Sequence, residues 1–163
     1  MRCDRLNRHC RRRGEGARLG SRSKARECAL QALYQLDTSG GTPSDVLAGL
    51  WAHFEPVDED TKDFAEALVR GAQREQQTID QIIQRTSTNW KLERMARVDR
   101  NILRLAVYEI LKRADVPLKV TLNEAIELSK KYGSEESSAF VNGILDRIAN
   151  SSALPGQVPK QER

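Results

Sequence analysis

Three cations stand at alternate positions near the start of the first helical stretch, Arg22, Lys24 and Arg26 in Ser21–Leu36 (SRSKARECALQALYQL). Guanidinium and ammonium groups grip phosphate oxygens, so this spacing suits an anionic partner. Helix stability does not explain their placement, because the positive end of the helix dipole repels cations in the first turn. A polyanion such as RNA explains it better. Gln31, further along the same stretch, adds an amide able to reach a base edge.

Catalytic chemistry finds no comparable footing. His9 and His53 have no nucleophile close in sequence, and the chain contains no phosphate-cradling glycine loop and no nucleophile elbow. Glu124 and Glu127 lie three apart, but Lys130 and Lys131 follow within a turn, and surface pairing accounts for all four. Cys3, His9, Cys10 and Cys28 match no zinc-site spacing and read as free thiols with an exposed histidine. The expectation is a non-enzyme without cofactor or metal.

Apolar periodicity supplies the elements that position the cations. Cys28, Ala29, Ala32, Leu33 and Leu36 form a helical stripe behind the basic end, predicting a helix over about 22–37. Thr38–Pro43 is a break, after which Ser44 or Asp45 starts a second helix with Val46, Leu47, Leu50, Trp51 and Phe54 inward. Asp58-Glu59-Asp60 suits the first turn of a third, carrying Phe64, Ala65, Leu68, Val69 and Ala72. A fourth spans about 75–86 with Ile79, Ile82 and Ile83. Leu92–Arg113 is apolar nearly all round, which predicts a helix in the middle of a bundle. Pro117 precedes a sixth helix, whose end at Gly133 reads as a left-handed cap, and Ser134–Ser138 starts a seventh along Phe140, Val141, Ile144, Leu145 and Ile148. Asn123 and Glu124 read as caps and buried polar ties, and Asn142-Gly143 as the close approach of a neighbouring helix, with Asn142 bonded inside. No alternating run is long enough for a strand, so the fold class is all-α.

Charge divides the chain unevenly. Residues 1–26 carry a net +8 and the remaining 137 a net −4, an asymmetry that favours a nucleic-acid or other acidic partner. Residues 1–21 read as a disordered basic arm, 22–150 as one helical domain and 151–163 as a flexible tail. The arm is neither Ser-rich nor amphipathic, unlike an organelle transit peptide. No apolar run approaches the roughly 20 residues that span a bilayer, and an odd set of three cysteines suits a reducing cytoplasm.

Four segments resemble the NusB family of transcription antitermination factors. They are Arg26–Tyr34 (RECALQALY), Val98–Ile110 (VDRNILRLAVYEI), Asp115–Gly133 (DVPLKVTLNEAIELSKKYG) and Ser138–Asp146 (SAFVNGILD), in the family's order. The resemblance implies a single seven-helix bundle of two packed helical subdomains. It implies binding to boxA-type single-stranded RNA of ribosomal RNA operons, jointly with the small-subunit ribosomal protein NusE, within the RNA polymerase antitermination complex. The family's arginine-rich start corresponds to Arg22, Lys24 and Arg26, with Ser21 and Ser23 interrupting the run and Lys24 replacing an arginine-type position.

By that resemblance Glu136, Ser137, Ser138 and Phe140 lie near the RNA, with Phe140 either stacking on a base or simply heading the core stripe. Tyr34 and Asp99 are the implied partner-binding residues. The same module accompanies a catalytic domain in ribosomal RNA cytosine methyltransferases, but the length here leaves no room for one. A protein-binding helical scaffold is the third reading.

Overall fold

The computed structural model describes residues 21–53, 56–151 and 154. The basic arm over 1–20 with Cys3, His9 and Cys10, Phe54 of the expected second stripe and most of the tail lie outside the described residues. Among those described there are seven α-helices, one 3-10 turn and no strand. They group into two compact units that divide between Gln73 and Arg74.

The first unit holds α1 (Ser21–Ser39), α2 (Pro43–His53) and α3 (Glu59–Arg74). The expected stripe of α1 is buried throughout, joined by Ala25 and Leu30. α1 runs two residues past Asp37, because the Thr38 hydroxyl donates back to the Tyr34 carbonyl (2.7 Å). Gly40 and Gly41, at φ of 73° and 98°, then reverse the chain in a conformation that a Cβ disfavours. α2 begins earlier than Ser44. Thr42 Oγ1 accepts from the Asp45 amide (3.2 Å), and Pro43 takes the first helical position, where a missing N–H is harmless. Asp58 caps α3 by accepting from the Thr61 amide (2.7 Å), and that bond holds its carboxyl below the usual range. Trp51 Nε1 donates to Glu66 (2.9 Å) and Arg70 to Ser44 (3.0 Å), tying α3 to α2.

The second unit comprises α4 (Gln76–Thr86), a 3-10 turn (Leu92–Arg94), α5 (Arg97–Lys112), α6 (Leu118–Tyr132) and α7 (Ser137–Asn150). α5 is central, packing against α4, α6 and α7, and every residue from Asp99 to Glu109 is buried. The predicted single helix from Leu92 is interrupted, since Met95 and Ala96 are extended. The buried run is also less apolar than its periodicity implied. Arg104 grips Asp80 of α4 with two bonds (2.7 and 2.9 Å), and Thr121 of α6 donates to Glu109 (2.9 Å). Arg100 donates to the Leu92 carbonyl (3.1 Å), which fixes the 3-10 turn against α5. Arg104, Glu109 and Arg100 thus each enter this core with a partner, as burial requires.

Three glycine and polar readings need correction. Gly133 is not a left-handed cap: its backbone is extended (φ −89°, ψ −170°). A Cβ there would strike the Ser137 side chain and lie 2.7 Å from the Ser129 carbonyl oxygen, so glycine is required by space rather than by torsion. Gly143 meets no neighbouring helix; nothing lies within 4 Å of its Cβ position, and Asn142 beside it is exposed, not bonded inside. Asn123 and Glu124 sit in mid-α6, away from either helix end, and Asn123 is exposed rather than a buried tie.

Candidate nucleic-acid interface

The cations predicted as one patch divide over two faces of α1. Residues four apart stack on one side of a helix, whereas residues two apart point nearly opposite ways. Arg22 and Arg26 accordingly share a face, and both guanidinium groups lie over the ring of Phe64 from α3, at 4.7 and 5.3 Å from its centroid. Phe64 is buried, so the ring's negative face attracts two cations that would otherwise repel each other. Arg22 is exposed, but Arg26 is only 3% exposed. Arg26 therefore lies buried against Phe64 at the basic end of α1. Lys24 and Gln31, seven positions apart, lie in one row on another face, both half-buried. Tyr34 is also half-buried and off the apolar stripe, as its position predicts.

In the second unit the segment Gly133–Phe140 forms a tight turn into α7. Ser137 is 2% exposed. Its Oγ accepts from the Ser134 amide (2.9 Å), lies 3.2 Å from the Ser134 hydroxyl, and is hydrogen-bonded to the Asp99 carboxylate. Two residues assigned by resemblance to different ligands are thus bonded to each other and turned inward. Ser137 holds the turn; it offers no exposed hydroxyl. Asp99 is 7% exposed, with Oδ1 lacking a hydrogen-bond partner among the described residues, and burial raises its pKa despite the Ser137 bond. Glu136 is exposed, while Ser138 and Phe140 are half-buried.

Phe140 is neither core nor isolated. Its ring meets that of Trp90 edge-on, with centroids 6.4 Å apart and planes at 81°. Trp90 is 56% exposed and belongs to no apolar stripe, which is why periodicity passes over it. A tryptophan beside a lysine immediately after Ser87-Thr88-Asn89 was the available signal.

Elsewhere, Lys130 pairs with Glu127 (3.3 Å), the surface pairing expected for that run. Cys28 is buried and unbridged, and among the described residues no group of three His, Cys, Asp or Glu could hold a metal ion. No helix among them is long and apolar enough to cross a membrane.

The NusB family model matches residues 23–150. The chain belongs to the NusB family. The transcription antitermination protein NusB of Anaeromyxobacter dehalogenans (strain 2CP-1 / ATCC BAA-258) is 58% identical over 134 residues, covering 82% of this chain and 92% of the relative. That of Myxococcus xanthus (strain DK1622) is 51% identical, covering 80% and 96%. Among solved structures, NusB of T. maritima superposes with a TM-score of 0.73 at 41% identity, over 81% of this chain and 92% of that one. NusB in the crystal structure of the antitermination factors NusB and NusE with double-stranded RNA gives 0.74 at 30% identity, over 80% and 97%. The fold of this NusB-family chain thus has counterparts of known structure; Asp80 and Trp90 are the positioning and surface residues that motif reading missed, and Phe64 was read as core without its contact to the two arginines.

Proposed function

We propose that this chain is a non-catalytic, RNA-binding transcription antitermination factor of the cytoplasm. It binds boxA-type RNA of ribosomal RNA operons together with NusE and supports processive transcription. The family match across both units carries this reading, since the relatives are named as antitermination proteins and a related NusB has been solved with NusE and RNA. On the first unit, Arg22 and Lys24 supply phosphate contacts and Gln31 a base-edge contact, Arg26 acts through Phe64 by holding the end of α1 rigid, and Tyr34 faces the protein partner. On the second unit, Phe140 offers a ring to the RNA, with Glu136 and Ser138 near it in sequence.

The test is a salt titration of RNA affinity in the presence of NusE. Arg22→Ala and Lys24→Ala should each weaken boxA binding and flatten the log–log salt dependence by about 0.7 per lost phosphate contact on a single strand. Arg26→Ala should behave differently, lowering the melting temperature as well, because it removes a buried cation from an aromatic face. Unchanged affinity and slope in the Arg22/Lys24 double variant would remove this face of α1 from the reading. Equal affinity for boxA and a scrambled RNA would reduce the protein to a helical scaffold with nonspecific attraction.

A further inference from the structure

Trp90 stands on a loop that is fastened from below. Its carbonyl oxygen accepts from Gln84 Nε2 (3.2 Å) and from Ser87 Oγ (3.1 Å), and its amide donates to the Ser87 carbonyl (3.4 Å). Gln84 Oε1 accepts from the amide of Leu92 two residues on (2.9 Å), so one buttressing glutamine spans the loop. The backbone beneath the indole is thus fixed while more than half of the residue faces solvent. Single exposed apolar side chains are ordinary on protein surfaces. This one is distinguished by an edge-on aromatic neighbour, Phe140, and by the charge beside it. In such a pair at least one ring keeps both faces clear of the other. Lys91, Arg94 and Arg97 follow at intervals of three, all exposed, against the single carboxylate of Glu93. Near Phe140 in sequence the charges are the carboxylates Glu135 and Glu136, whereas those that follow Trp90 are mainly cations.

An exposed ring braced by a half-buried one and followed by cations matches the way proteins hold single-stranded nucleic acid: bases stack on aromatic faces and the backbone runs along the charges. A protein partner would instead be expected to cover a continuous apolar patch, and the residues next to Trp90 along the chain, Asn89 and Lys91, are polar and exposed.

We infer that Trp90, paired with Phe140 and flanked by Lys91, Arg94 and Arg97, is a base-stacking platform for single-stranded RNA on the second unit. The inference rests on the RNA-binding reading above and adds a site to it. A preorganised loop spares the ordering entropy that a mobile aromatic would lose on binding.

The experiment uses the full chain with a boxA-type single-stranded RNA, with and without NusE. Trp90→Ala should weaken RNA binding about tenfold and leave the salt slope unchanged, because stacking displaces no counterions, whereas Trp90→Phe should retain most of the affinity. Trp51 and Trp90 are the only tryptophans, so Trp51→Phe isolates the Trp90 emission, which RNA should quench. Melting curves establish that each variant is folded; if Trp51→Phe is not, the quenching lost between the parent chain and Trp90→Phe gives the same readout. The platform is overturned if Trp90→Ala binds RNA within twofold of the parent, or if the Trp90 emission does not respond. It is equally overturned if Trp90→Ala weakens only NusE binding, which would make the patch a protein contact. Weakened binding by Lys24→Ala together with unaffected binding by Trp90→Ala would leave the RNA reading standing and remove this site alone. Failure of the parent chain to bind RNA would remove both.

Discussion

Asp99 shows how one burial decides a residue's chemistry. Its carboxylate sits in the first turn of α5, where the helix dipole favours an anion, yet lost solvation outweighs that preference and the Ser137 bond. The folded state therefore holds a proton on this group more tightly than the unfolded chain does. The sign follows: above the folded pKa the buried charge destabilises the protein, and the penalty fades as pH falls through that value towards the ordinary 3.8. Asp99→Asn keeps an acceptor for Ser137 and removes the charge. It should raise the melting temperature at pH 7.5, with the advantage shrinking towards pH 4. Thermal melts across that range check it, and a lower melting temperature at neutral pH would mean that the carboxylate has a partner it needs. Arg26 teaches the same point for a cation. Its type and spacing are legible in the sequence, but its burial depends on Phe64, 38 positions away, and no local pattern announces that contact.

At the scale of elements, the stripes were readable because a helix repeats every 3.6 residues and each buried face had to be apolar. Helix ends were less so, because Thr38 and Thr42 act through side-chain bonds to the backbone that the break Thr38–Pro43 only hints at. Glycine is where composition and cause part most clearly. Gly133 and Gly143 flank the same turn-and-helix segment, and each invites a structural explanation, but only one has it. Replacing Gly133 by Ala drives a Cβ into Ser137 and the Ser129 carbonyl, both part of the packed entry to α7, and should destabilise the protein by about 1–3 kcal/mol. Replacing Gly143 by Ala adds a methyl group in open space within a helix, and should stabilise it by about 0.5–1 kcal/mol. Chemical denaturation of both variants gives the two signs directly. Should Gly143→Ala stabilise the chain and yet impair assembly with NusE or RNA, the bare face of α7 beside Asn142 would be needed for a partner's approach. Trp90 went unread for the complementary reason: pattern analysis searches for what is buried, and this side chain is conspicuous by being left out.

On the scale of the whole molecule the distribution of charge separates attraction from recognition. Residues 1–20 carry a net +5, whereas the family match begins at residue 23, so most of the positive charge of the basic segment lies ahead of the family domain. Charge held there acts over roughly a Debye length, about 8 Å at physiological ionic strength, and raises the encounter rate with any polyanion. The base-edge and stacking contacts proposed above use groups fixed on helices, Gln31 on α1 and Phe140 on α7. Removing residues 1–20 should therefore weaken binding to boxA and to a scrambled RNA of equal length by the same factor. The effect should be largest at low salt and negligible near 0.5 M, with a flatter salt dependence for both RNAs. The ratio of the two affinities should not move. Association kinetics locate the change: the on-rate should fall while the off-rate from boxA stays close to that of the full chain, since related complexes that differ only in steering charge differ mainly in encounter. A drop in the boxA-to-scrambled ratio on truncation would instead place sequence-reading contacts in the arm, and would count against the contacts proposed for α1 and for the α7 turn.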